Sequence, residues 1–297
     1  MAAVKAGEST TAASEKATHG AAPKSPGRQN PVLRVVKASD PLALAGMIII
    51  LAAWYVVTEQ GWVRPVFLPA PEQVFRFAEA HFLESRLVQT QNLGDGGILE
   101  NLIYTTTSVW LAVLLAIIVA VPIGLASARV QFLRMFSDPS LLTLGAVPVL
   151  ILMPFFLVWF GVSRNGQLLL LVLVAVPIIY VYAQRAVTNL DPVYAQSALV
   201  LGVGRVRLIK DVYLRGTLPE ILGGVRIALA GSWSIAAIAE LMGAPQGMGR
   251  LISTFAANTN ITGIFATILI LAIVATLTDI TLKAVFMFAN RWGSVNK

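Results

Sequence analysis

Three ionisable residues stand in stretches otherwise apolar enough to sit in lipid: Arg226, Glu240 and Asp279. An ionisable group at the centre of a membrane helix costs about 2.5 kcal/mol or more on insertion scales, so such groups usually turn toward a bundle interior or a cavity. The chemistry open to them is electrostatic. Arg226 and Asp279 fall at depths that allow an ion pair, which would be structural. Glu240 lies near the outer end of its run with no cation beside it in sequence, so it either reaches the interface or caps a gate. Ser232, Trp233 and Ser234 of the same run are candidates to line a passage. Covalent chemistry has no comparable support. There is no Gly-x-x-x-x-Gly-Lys-[Ser/Thr] phosphate loop, and Gly202-Val203-Gly204 is too short for a dinucleotide fingerprint. His19 and His81 are far apart, and the chain has no cysteine. No catalytic residue, metal site or cofactor is therefore expected in this chain.

The elements that must position these residues are membrane helices. Hydrophobic residues make up 57% of the chain, charged residues 12%, and mean hydropathy is +0.76; a soluble domain carries about 25% charged residues. The reading is all-α, a polytopic bundle with six predicted transmembrane helices near residues 42–58, 102–126, 139–160, 168–187, 221–243 and 263–288. The first is short against the ~20 residues a bilayer needs. Residues 1–38, rich in Ala, Ser, Thr, Pro, Gly and Lys without apolar periodicity, read as a disordered tail ahead of a transmembrane domain at 39–297. Within the fifth run Gly224, Ala228, Ser232 and Ala236 form a row at i+4 spacing. Small residues let membrane helices approach closely, which explains the row by packing alone; a sliding face between spans is the functional version.

One long polar stretch, residues 191–219, interrupts this apolar pattern. Asp191 before Pro192 is a helix start, and Tyr194, Ala198 and Leu201 then share a face at i, i+4 and i+7. Gly202 and Gly204 break that helix. A second amphipathic stretch sets Leu208, Ile209, Val212 and Tyr213 against Arg205, Arg207 and Lys210, and Thr217-Leu218-Pro219 is expected to end it. The pattern is helix, glycine hinge, helix, with a plain solvated connector as the alternative. Sorting the basic residues places both termini and this stretch on one side. That side holds 16 of them and the other five, Arg226 lying within a span. The bias marks the 16-residue side as cytoplasmic and accounts for the net charge of +7 without nucleic acid.

The stretch resembles the cytoplasmic signature loop of bacterial ABC-importer permeases, where Glu-Ala-Ala precedes a glycine and an apolar-Leu-Pro stop follows. Here Gln196-Ser197-Ala198, Gly202 and Leu218-Pro219 take those places. Other segments are similar to the nitrate/sulfonate/taurine/bicarbonate-type branch: Leu68-Pro69-Ala70-Pro71, Pro148 through Trp159-Phe160-Gly161, and Gly224-Val225-Arg226-Ile227-Ala228 through Ala239-Glu240-Leu241 to Gly247-Met248-Gly249. The resemblance covers roughly residues 42–292. It implies a type I importer permease of the bacterial inner membrane, forming half of a pore with a second, usually identical, copy. Cytosolic ATPases holding ATP and Mg would dock beneath, and an extracytoplasmic binding protein would deliver a small solute. It further implies that Tyr194, Ala195, Gln196, Ser197, Ala198, Leu199, Gly202 and Arg205 engage the ATPase, with Gln196 in place of the family's glutamate. A secondary transporter or channel not driven by ATP is the rival; it would also show six spans, but no internal repeat is evident.

Overall fold

The computed structural model describes residues 41–90 and 96–289; the expected tail at 1–38 lies outside them. Eleven labelled helices carry the argument. They are α1 (Pro41–Glu59), α2 (Pro71–His81), α3 (Arg86–Thr90), α4 (Ile98–Ser127), α5 (Gln131–Ala146) and α6 (Val149–Phe160). After these come α7 (Arg164–Thr188), α8 (Pro192–Val200), α9 (Leu214–Gly243), α10 (Met248–Ala257) and α11 (Ile261–Ala289). A helical turn at Arg205–Arg207 and a π-helical segment at Leu208–Tyr213 join α8 to α9.

Among the described residues, four stretches are long and apolar enough to cross a bilayer: Ile98–Ser127, Arg164–Thr188, Lys210–Gly243 and Ile261–Met287. The expected straight span at 139–160 is instead a bent pair, α5 and α6 meeting at 96°. The break falls at Val147 and Pro148, both extended (ψ 125° and 118°), because proline pushes the residue before it out of the α region. The pair still runs the length of α7. In α5, Asp138 meets Tyr180 and Gln184, and Gly145 closes on Pro177. In α6, Met153 and Leu157 share a small cavity with Gly166 and Gln167 at the other end. With the shorter apolar helix at Ala45–Glu59, the six expected runs are all helical. α1 is peripheral: Trp54 packs on Phe265 of α11 and donates to the Pro69 carbonyl at 3.1 Å.

The core is a three-helix seam of α4, α7 and α9. Val109, Ala112, Ala116 and Ala120 of α4 face Leu171, Ala175, Ile179 and Ala183 of α7, the i+3/i+4 pattern of one buried stripe. Where the helices come closest, a Cβ on Gly124 would stand 2.6 Å from that of Ala183, and one on Gly224 would stand 2.4 Å from Tyr182. In lipid such close approach supplies the van der Waals contact that the hydrophobic effect does not. A second cluster joins Val88, Ile98 and Leu102 to Met248, Leu251 and Phe255. It seats α10 across the end of the bundle opposite α8.

Candidate functional site

The polar stretch forms as a capped helix, a left-handed glycine and a π-helical turn. Asp191 Oδ1 accepts from the Val193 N–H at 2.9 Å, which caps the start of α8. The end closes with paired reverse bonds: Gly202 N–H to the Leu199 carbonyl at 3.0 Å, and Val203 N–H to the Ala198 carbonyl at 3.0 Å. Both bonds require a left-handed residue, and Gly202 supplies it at φ +75°. The stop expected at Pro219 does not occur. The π turn runs straight into α9, and Pro219 sits inside that helix. Its missing N–H costs only a bond to the Arg215 carbonyl at the very start of α9, and next to it Thr217 folds its hydroxyl onto the Tyr213 carbonyl at 2.7 Å.

The face of α8 also differs from the expected one. Ala198 is buried, but Tyr194 and Leu201 are 62% and 81% exposed. The inward face is Ala195 and Ala198, with Ala195 seated by Tyr213, Val187 and Leu190, an approach that small side chains allow. Arg129 lies over the Tyr213 ring at 4.0 Å and pins the same corner. Gln196 and Ser197 are exposed. Leu199, Val200, Leu201 and Val206 extend an outward apolar surface, with Val200 at 87% exposure. The Arg205 side chain lies outside the described residues.

The candidate pore residues separate. Ser232 is fully buried, and so is the whole row Gly224, Ala228, Ser232 and Ala236; the row packs against α7 within the chain. Trp233 is buried too, its indole N–H donating to Thr278 Oγ1 of α11 at 3.0 Å. Neither lines an opening within this chain. Ser234 alone of the three is exposed.

Arg226 and Asp279 pair in a two-pronged bridge, Nε to Oδ1 at 2.8 Å and Nη2 to Oδ2 at 2.7 Å. It ties α9 to α11. Glu240 is fully buried and does not reach an interface. Its Oε2 accepts from Thr105 Oγ1 at 2.9 Å and from the Gly249 N–H at 3.0 Å; its Oε1 accepts from Gln167 Nε2 at 2.8 Å. Gly249 lies in the first turn of α10, so the carboxylate meets the positive end of a helix. Thr105 in turn accepts from Met248 N–H, and Asn101 Oδ1 accepts from Gly247 N–H at 2.8 Å. Four helices, α4, α7, α9 and α10, thus meet on one side chain. Asn101, Thr105 and Gln167 are members of this cluster that sequence reasoning missed, because none carries a charge to search for.

Residues 112–286 match the family described as binding-protein-dependent transport system inner membrane component. The chain belongs to that family. The taurine transport system permease protein of Escherichia coli is 29% identical over 253 residues, covering 84% of this chain and 89% of that one. A putative aliphatic sulfonates transport permease of Bacillus subtilis is 30% identical over 231 residues, covering 78% and 80%. The fold matches that of an inward-facing methionine ABC transporter (TM-score 0.56, 17% identity, 64% of this chain and 94% of the other). It also matches an amino acid ABC transporter (TM-score 0.53, 16% identity, 69% and 96%). This family member is an integral membrane permease subunit of an ABC importer, and that class works with ATPase and binding-protein partners.

Proposed function

We propose that this chain forms half of the pore for a small oxyanion or sulfonate-class solute and is worked through residues 191–213 by a docked ATPase. The observation that carries this reading is mechanical. The outward apolar surface of α8 and Val206 leads, through the glycine hinge and π turn, into α9 without a break. The helical run Lys210–Gly243 has 34 residues. At ~1.5 Å per residue it is roughly 50 Å long, well beyond a ~30 Å hydrocarbon core. Its lower end therefore projects as a lever. The exposed patch of Tyr194, Leu199, Val200 and Leu201 suits a helix laid into an apolar groove on the partner. Gln196, exposed beside it, makes that contact one of shape more than of charge.

In this scheme ATP and Mg2+ belong to the ATPase, and this chain does no covalent chemistry. Closure of the ATPase dimer carries α8 with it and tilts α9 against the same helix of a second, identical copy. Inward and outward openings then alternate according to the affinity of ATP for each. A binding protein delivers the solute on the side opposite α8. The excess of basic residues supports placing α8 and both termini in the cytoplasm. The taurine and aliphatic sulfonate relatives support the solute class.

The test is Gly202→Val in the complete transporter. Nothing lies within 4 Å of an added Cβ there, so the strain comes from the φ of +75° alone. Membrane insertion and ATP hydrolysis should survive while ATP-dependent uptake into proteoliposomes falls several-fold. Wild-type uptake by the variant, or uptake by the permease with no ATPase present, would count against the reading.

A further inference from the structure

The bridge of Arg226 and Asp279 leaves cationic capacity unspent. Arg226 commits Nε and Nη2 to Asp279; among the described residues its Nη1 edge makes no hydrogen bond. Lys283 stands four residues after Asp279, one turn along α11, and forms no ion pair among the described residues. Arg226 and Lys283 both line a cavity of about 230 Å³ between α9 and α11, whose walls include Leu222, Phe286 and Met287. One positive charge is uncompensated there, at the end of the bundle that carries α8. The bridge also holds the guanidinium in one place, which reduces the entropy lost on binding.

We propose that this groove binds a tetrahedral oxyanion, a sulfonate or phosphate group held between Arg226 Nη1 and Lys283 Nζ, with its organic substituent along Leu222, Phe286 and Met287. Arginine forks and lysine ammonium groups both favour such oxygens, and the volume is far above what a single water needs. Two sources present this chemistry. One is the phosphate of an anionic lipid in the leaflet beside α8. The other is a sulfonate solute leaving the pore on that side, and this source alone rests on the importer reading above.

The experiment uses the complete transporter in nanodiscs. Retained lipid is measured by native mass spectrometry after exposure to mixed phosphatidylglycerol and phosphatidylcholine. Separately, ethanesulfonate is titrated into pure phosphatidylcholine discs while thermal unfolding is followed. Selective retention of phosphatidylglycerol identifies the lipid source, and a rise in unfolding temperature with ethanesulfonate identifies the solute source. Either supports the site if Lys283→Gln weakens it about tenfold, the loss expected for one charge-assisted hydrogen bond, and Lys283→Arg restores it. Lys283 is half-buried, makes no direct ion pair among the described residues and acts on Asp279 only as a nearby charge, so neither variant breaks a hydrogen bond of the fold. No selectivity and no shift in the wild type, or effects equal in Lys283→Gln, would overturn the proposal. Binding is read without turnover, so a failure of ATP-driven uptake would leave this outcome separate.

Discussion

The two ends of the bundle are built on opposite terms. At one end, Glu240 gathers Thr105, Gln167 and Gly249 so that α10 is locked to α4, α7 and α9, with its carboxylate fully buried. At the other end, α8 rests on two alanines and turns Tyr194, Leu199, Val200 and Leu201 outward. A carboxyl group buried among several hydrogen-bond donors holds one arrangement, because any displacement strands those donors together. An exposed apolar surface holds nothing by itself and waits for a partner. The chain is therefore internally fixed where α10 crosses the bundle and, in the proposed scheme, externally addressed where α8 hangs from it. That division suits a subunit moved from one side.

The strongest way to break the comparison is Glu240→Ala. It would leave Gln167 Nε2 and the Gly249 N–H without their acceptor in a buried site, at a cost of about 3 kcal/mol or more. The thermal midpoint of the purified complex should fall by several degrees, and Glu240→Gln, which keeps the shape and one acceptor oxygen, should recover part of it. An unchanged midpoint would mean that the junction holds nothing together.

Gly249→Ala tests the same lock through space instead of charge. The added Cβ would stand 2.1 Å from the Ala237 carbonyl oxygen and 2.9 Å from the Leu241 nitrogen. These are backbone atoms, which cannot swing aside, so α10 must shift. Overpacking of this kind costs about 2 kcal/mol. A smaller fall in midpoint than for Glu240→Ala is expected; no fall would show that α10 floats.

How much of this was legible in the sequence follows the same physical line. Spans α4, α7 and α11 are continuous apolar runs, and hydropathy finds them. The Arg226–Asp279 bridge was legible because two opposite charges in lipid have strong reason to meet. The partners of Glu240 were not. They are a threonine, a glutamine and a backbone N–H, from residues as far as 135 positions away, and neutral donors leave no trace in a charge pattern. The break at Pro148 was hidden for a different reason. Pro122, Pro154 and Pro177 all stay inside helices, so proline alone does not say which position turns the chain. The face of α8 was misread because its apolar residues surround the helix. With no polar side to orient it, periodicity cannot tell that size, the small Ala195 and Ala198, decides what goes in.

The smallest change in stability sharpens the contrast most. Val200 and Leu201 are 87% and 81% exposed, so Val200→Ser with Leu201→Ser removes almost no contact within the chain. Both lie at the closing turn of α8, but its bonds are backbone to backbone, so replacing these exposed side chains should cost about 0.5 kcal/mol or less and the midpoint of the isolated permease should hardly move. Retention of the ATPase during purification should nevertheless drop, because the apolar area that the partner would cover is gone. If the double variant kept its ATPase and transported normally, the outward surface of α8 would be lipid-facing or idle. If it unfolded, α8 would belong to the core after all. A stable permease that no longer holds its motor is the outcome that separates an end built to be gripped from an end built to stay still.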